Sequence, residues 1–209
     1  MLQQDFARES LHATGIPISR DLRFLPDKAE LRRQLGIAPE QKVIMLMGGG
    51  LGLGGIGKNL QELEKIDQPL TLLVIAGRNE QLLQRVRNFA AASRHTMKVW
   101  GYTDEARKLM GAADLLITKP GALTISEAFA LGTPLLLHDP IPGPETENAV
   151  YATRHGAAIW LHPGERLSPA VEELFAGDAL PRMRQRALDC ARPLASEEIV
   201  KIILQSAGF

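Results

Sequence analysis

The residues best placed to do chemistry lie in one stretch, Thr118-Lys119-Pro120-Gly121-Ala122-Leu123-Thr124-Ile125-Ser126-Glu127. An apolar run, Leu115-Leu116-Ile117, feeds its Pro-Gly turn, and the turn opens into a helical stretch. The first amides of a helix have no partner within it, so they can hold an anion. Farther along, Leu123, Glu127 and Leu131 are spaced i, i+4, i+8 and share one face. A carboxylate between two leucines is costly unless something hydrogen-bonds it. The vicinal hydroxyls of a ribose are one such partner, with a phosphate one turn away at the helix start. An ordinary solvated helix glutamate is the other reading.

A second feature is Gly48-Gly49-Gly50-Leu51-Gly52-Leu53-Gly54-Gly55-Ile56-Gly57, directly after an apolar strand. Such a loop lets backbone amides approach a phosphate without side-chain obstruction. Gly50, Gly52 and Gly55 fall in a G-x-G-x-x-G register, which alone is a weak signal. A dinucleotide site also wants an acid at the end of the next strand. That position reads Ala76-Gly77-Arg78-Asn79, which disfavours NAD, although Arg78 would suit NADP. No Gly-Lys-Ser/Thr follows the loop, so it is not a Walker loop. A flexible loop without a ligand is the bland alternative.

A third feature is Asp139-Pro140-Ile141-Pro142-Gly143-Pro144-Glu145-Thr146-Glu147-Asn148, at the end of a later strand. Glu145 and Asn148 are three apart at a helix start, so they share a side. They offer an acceptor and a mixed donor-acceptor, suited to sugar hydroxyls. Acids that merely complement the helix dipole are the competing explanation, strongest for Glu147.

The elements that must position these features alternate along the chain. Val43–Met47, Leu70–Ala76, Met97–Trp100, Asp114–Thr118, Pro134–Leu137 and Ala157–Trp160 read as strands. Between them, 59–65, 80–92, 104–110, the stretch after Gly121 and 146–154 read as helices. The tail from Pro169 reads as helices broken at Gly177-Asp178 and Pro193. Continuous apolar strands alternating with helices predict an α/β fold with a doubly wound, six-stranded parallel sheet. In open parallel sheets ligands bind outside the carboxyl ends of strands, where all three features fall. Residues 10–40 precede the pattern and read as a linker plus a charged helix, Lys28–Leu35.

Composition excludes several classes. The 209 residues are 45% hydrophobic and 23% charged, ordinary globular values, and enough chain to bury a core. Net charge is zero, so nothing demands nucleic acid or an anionic membrane. Cys190 is the sole cysteine, so there is no disulfide framework, and a reducing compartment fits. No apolar stretch approaches membrane-span length, and Met1-Leu2-Gln3-Gln4-Asp5 has no signal-peptide pattern.

Taken together, five segments resemble the carboxyl-terminal domain of the GT-B glycosyltransferases. They are Met47-Gly48-Gly49-Gly50, Ala76-Gly77-Arg78-Asn79, Gly101-Tyr102-Thr103, the stretch Thr118 to Ala128, and Pro142 to Asn148. The chain is most similar to the monogalactosyldiacylglycerol synthase and processive diacylglycerol glucosyltransferase family. The lipid-linked muramyl-pentapeptide N-acetylglucosaminyltransferase is a related family. The resemblance runs over about residues 12–205. It implies a Rossmann-like half of a GT-B fold that binds a UDP-sugar donor and needs no other cofactor or metal. By position, Gly48, Gly49, Gly50 and Gly52 would approach the diphosphate. The backbone of Thr103 would pair with uracil. The amides of Gly121, Ala122, Leu123 and Thr124 would hold phosphate, and Glu127 the ribose hydroxyls. Glu145 and Asn148 would face the donor sugar. Pro144 departs from the family, which commonly has glutamine there, so sugar identity is open.

The resemblance also implies what lies elsewhere. Such enzymes keep the acceptor site and catalytic base in an amino-terminal domain, so no catalytic residue is expected in this chain. His138 and His155 are read as structural. The segment His12 to Ile18 resembles the junction between the two domains. Residues 1–40 are therefore expected to be junction and linker, and 41–209 a nucleotide-sugar-binding domain with carboxyl-terminal helices. The implied partners are the amino-terminal domain and, through it, a lipid acceptor such as diacylglycerol and the membrane surface, with no nucleic acid. The implied place is the cytoplasm, peripheral to the membrane. The implied reaction is metal-independent inverting transfer, and no Asp-x-Asp motif is present. An epimerase of UDP-N-acetylhexosamines, an NADP-binding oxidoreductase and a non-catalytic donor-binding subunit of a split transferase are the alternatives.

Overall fold

A computed structural model describes residues 11–48 and 55–207. Six parallel strands form one sheet: β1 (Val43–Met47), β2 (Thr71–Ile75), β3 (Thr96–Trp100), β4 (Leu115–Thr118), β5 (Leu135–Leu137) and β6 (Ala158–Trp160). Their spatial order is β3-β2-β1-β4-β5-β6, the doubly wound arrangement. The chain reverses its winding between β1 and β4, where Met47 lies beside Thr118. The helices are α1 (Lys28–Gln34), α2 (Ile56–Leu63), α3 (Glu80–Ala90), α4 (Ala106–Ala112), α5 (Ala122–Leu131), α6 (Pro144–Arg154), α7 (Leu167–Ala176), α8 (Ala179–Cys190) and α9 (Ala195–Ser206).

Strand alternation sorts the core into two layers. Ile44, Leu46, Leu72, Val74, Leu115, Ile117 and Leu136 face a layer that includes residues of α2, α3 and α7. Val43, Met45, Leu73, Leu116, Leu135 and Leu137 face the other, with residues of α4, α5, α6 and α8. Both faces of the sheet are covered, which is why its strands read as unbroken apolar runs.

Helix ends differ from the expected ones for local reasons. The helix after the glycine loop starts at Ile56 rather than Asn59, because Gly55 takes a left-handed φ of 64° and turns the chain into it. Likewise α6 begins at Pro144 rather than Thr146, since proline is preset for the first helical position. A short 3-10 turn at Arg20–Phe24, capped by Ser19, was not foreseen in the sequence.

The stretch before β1 is docked on the domain. Ile18, Leu22, Leu31 and Ile37 are buried. Arg32, with its side chain 8% exposed, donates to the carbonyls of Ala112, Pro39 and Gln41 and to Asp114 Oδ2 at 2.7 Å. Asp114 also holds Lys28 at 2.5 Å and accepts from the Val43 amide at 2.8 Å. Helix α1, β1 and the entry to β4 are thereby joined at one carboxylate.

Candidate functional site

Strand β4 ends at Thr118 and delivers Lys119-Pro120-Gly121 into α5. The Gly121 amide donates to the Lys119 carbonyl at 2.8 Å, closing a tight turn. Gly121 is the helix N-cap, and no side chain caps it. Ile125 returns its amide to the Gly121 carbonyl at 3.0 Å, as in a regular first turn. The amides of Ala122, Leu123 and Thr124 consequently have no acceptor within the helix. Of the four positions expected to hold phosphate, Gly121 has its amide already committed, and the following three have theirs available. This helix end carries about half a positive charge.

Glu127 lies in the second turn of α5, with its side chain only 13% exposed. Arg107, on α4, donates Nε to Glu127 Oε1 at 2.8 Å. This partner was not found in the sequence, because twenty residues and a strand separate the two. The premise of a carboxylate flanked by apolar neighbours holds only on one side: Leu131 is partly buried, but Leu123 is 51% exposed. Oε2 remains for a second partner. Arg107 also ties Glu127 to the segment after β3. Thr103 lies four residues earlier, and its Oγ1 accepts from the Glu105 amide at 3.1 Å, forming the turn that enters α4.

The loop between β5 and α6 meets the same edge. Asn148 Nδ2 donates to the Pro120 carbonyl at 3.0 Å, clamping α6 onto the turn before α5. Its Oδ1 is left over. Glu145 Oε2 instead accepts from the Ile141 amide at 2.7 Å and closes its own loop. Glu145 is partly buried, and Gly143 enters the helix at φ 97°. Ala122 and Asn148 together line a cavity of about 250 Å³ with Ser126, Phe129 and Tyr151.

The remaining expected residues are placed as follows. Gly48 is buried at the end of β1, while Gly49, Gly50 and Gly52 lie outside the described residues. Arg78 is exposed after β2 and stacks over the Tyr102 ring at 4.6 Å, on the β2–β3 side of the sheet. Among the described residues it makes no hydrogen bond to the α5–α6 group.

His138 follows β5 and is 6% exposed. Its Nε2 lies 3.0 Å from Asn59 Nδ2, and its Nδ1 lies 3.2 Å from Asp139 Oδ2. With Asn59 donating, Nδ1 carries the proton and donates to Asp139. Burial pushes the imidazole below its ordinary value, and Lys119 and Lys58 act in the same direction against the pull of Asp139. Asp139 holds a left-handed φ of 43°, the one such non-glycine residue among those described. His155 is exposed, with Nδ1 2.8 Å from the Tyr151 carbonyl. Among the described residues no cluster of His, Cys, Asp and Glu has the geometry of a metal site. Nor is any helix there long and apolar enough to cross a membrane.

A doubly wound parallel sheet whose winding reverses between β1 and β4, with an uncapped helix start just after β4, defines a Rossmann-like α/β protein. Residues 43–198 match the glycosyltransferase family 28 C-terminal domain, and the chain belongs to that family. It is 33% identical over 198 residues to the processive diacylglycerol beta-glucosyltransferase of Bacillus subtilis, covering 93% of this chain and 51% of that protein. It is 34% identical over 209 residues to the probable monogalactosyldiacylglycerol synthase 3 of Oryza sativa, a chloroplastic protein, covering 95% and 41%. The chain thus spans about half the length of the curated relatives it matches. Among solved structures, the MurG of Acinetobacter baumannii superposes with a TM-score of 0.69 at 23% identity, over 86% of this chain and 53% of that one. Anabaena HepE, solved with UDP-glucose, superposes with a TM-score of 0.64 at 20% identity, over 91% and 54%. These two share the fold.

Proposed function

We propose that this chain is the UDP-sugar-binding half of an inverting glycosyltransferase that glycosylates a lipid hydroxyl, with diacylglycerol the first acceptor to test. The observation that carries it is the α5 start: three available amides, with the largely buried Glu127 one turn farther on. A nucleoside diphosphate presents both matching groups, phosphate for the amides and ribose hydroxyls for Glu127 Oε2. The acceptor class comes from the relatives, which are named as diacylglycerol glycosyltransferases.

In this reading uracil pairs with the Thr103 backbone, and the donor sugar lies toward Glu145 and Asn148. Because Asn148 already donates to Pro120, it offers the sugar its Oδ1 as acceptor. The glycine loop from Gly48 covers the diphosphate. An acceptor hydroxyl attacks the anomeric carbon, the glycosidic bond to the diphosphate breaks, and the α5 amides hold the oxygen on which charge develops. The hydroxyl proton goes to a base on the amino-terminal domain. His138 is a poor candidate for that base, since both of its ring nitrogens are engaged in a buried chain. In this reading residues 1–40 are the junction to that domain, with the buried Ile18, Leu22, Leu31 and Arg32 of its described part packed on the sheet domain, and 41–209 are the donor domain. The enzyme works in the cytoplasm at a membrane surface, which the other domain contacts.

The test is a thermal-shift panel of UDP, UDP-glucose, UDP-galactose, UDP-N-acetylglucosamine and NADP. A ligand of the folded state raises its apparent stability. The UDP compounds should raise the midpoint, with one sugar exceeding UDP alone, and NADP should not. A shift with NADP only would refute the proposal.

A further inference from the structure

We propose that the ammonium of Lys119 is the charge partner of the donor diphosphate, an inference that rests on the donor-site reading above. The free end of α5 supplies about half a positive charge. A nucleoside diphosphate bears a larger negative charge, and it gains more on its terminal oxygen as the bond to the sugar breaks. Backbone amides alone leave most of that charge without a counter-ion.

Lys119 stands where the deficit falls. Met47 and Thr118 are neighbours across β1 and β4, so the next residues of the two strands are Gly48 and Lys119. Two residues later Gly121 opens α5. Lys119 is therefore flanked by the first glycine of the loop and the anion-holding turn. Its backbone is fixed on both sides. Its carbonyl accepts from Gly121, and the adjoining Pro120 carbonyl is gripped by Asn148.

Strand alternation sets its side. Leu115 and Ile117 belong to the layer that includes α2, and Lys119 continues that series. His138 does the same after Leu136 on β5. The influence of Lys119 on the His138 imidazole agrees with that common side. Lys119 is partly buried, yet among the described residues it makes no hydrogen bond or ion pair. A partly buried ammonium without an acceptor is costly, and a bound anion removes that cost. Of the other cations near these strand ends, Arg107 is engaged with Glu127 and Arg78 with the face of Tyr102, while Lys58 at the start of α2 is exposed and, unlike Lys119, not partly buried.

During transfer the acceptor oxygen gives its electron pair to the anomeric carbon, and its proton leaves to the base outside this chain. The pair of the breaking bond moves onto the terminal phosphate oxygen of UDP. Lys119 neutralises that oxygen and itself stays protonated throughout.

The experiment is calorimetric titration of the unaltered chain, Lys119→Met and Lys119→Gln with UDP, UMP and uridine. UDP affinity should fall about tenfold or more in both variants, and UMP affinity by less. Uridine affinity should stay within about twofold, which also reports that the site is still folded. The salt dependence of UDP binding should flatten, because a screened charge pair is gone. Equal UDP affinity in the variants and the unaltered chain would overturn the assignment. So would a parallel loss of uridine and UDP, which marks a purely structural lysine. Absence of UDP binding by the unaltered chain would overturn the donor-site reading itself.

Discussion

Glu127 commits one carboxylate oxygen to Arg107, and the other has no hydrogen-bond partner among the described residues; in the proposed reading it takes the ribose hydroxyls. Removing the carboxylate should therefore weaken nucleotide binding without unfolding the chain. Glu127→Ala should lower UDP affinity by about 1.5 to 3 kcal/mol, the range for hydrogen bonds to a charged group. Calorimetry of the variant checks this, and unchanged affinity would return Glu127 to an ordinary ion pair. At His138 the expected effect is on stability. Its folded pKa is lowered, so the unfolded chain takes up a proton first as pH falls. The stabilising contribution is then complete above the ordinary histidine value of about 6.5 and is lost as pH drops below it. Asp139, Lys119 and Lys58 face the ring and do not reverse the sign. Urea unfolding at pH 7 and pH 5 should give a smaller loss for His138→Gln than for the unaltered chain. Equal losses would place the pH sensitivity elsewhere.

At the scale of elements, Asp114 joins α1 to the sheet through Arg32 and Lys28. Asp114→Ala leaves a largely buried guanidinium without its counter-ion, so unfolding free energy should fall by about 3 to 5 kcal/mol. A urea midpoint unchanged from the unaltered chain would mean that residues 18–40 contribute little to the domain. This docking was not legible in the sequence, where Pro26, Pro39 and the charged helix suggested a tether. Arg32 and Asp114 are distant in the chain, and no local pattern marks such a pair. The strands were legible for the opposite reason. Val43–Met47 and Leu115–Ile117 are covered on both faces, so their burial is written as continuous apolar runs. The α5 start was legible because Pro-Gly after a strand specifies a turn on its own. Arg107 as the partner of Glu127, Asn148 as the clamp on Pro120 and the Asn59–His138–Asp139 chain were not legible. Each depends on which helices the sheet order brings side by side.

At the scale of the whole molecule, the chain matches about half of each relative. If the chain is the donor half proposed above, it supplies stabilisation of the leaving group but neither a base at the acceptor hydroxyl nor a surface that presents a lipid to the anomeric carbon. Residues 1–209 alone should therefore bind UDP-sugar without acceptor-dependent turnover. UDP release measured with and without diacylglycerol in detergent micelles should be slow and equal. Robust glycolipid formation would locate a base in this chain, and His138 and His155 would be the residues to replace first. The most direct measurement of the central claim is simpler. Titrated calorimetrically under identical conditions, the chain should bind UDP at one site and give no binding heat with NADP. NADP binding without UDP binding would contradict it and make the glycine loop and Arg78 a dinucleotide site.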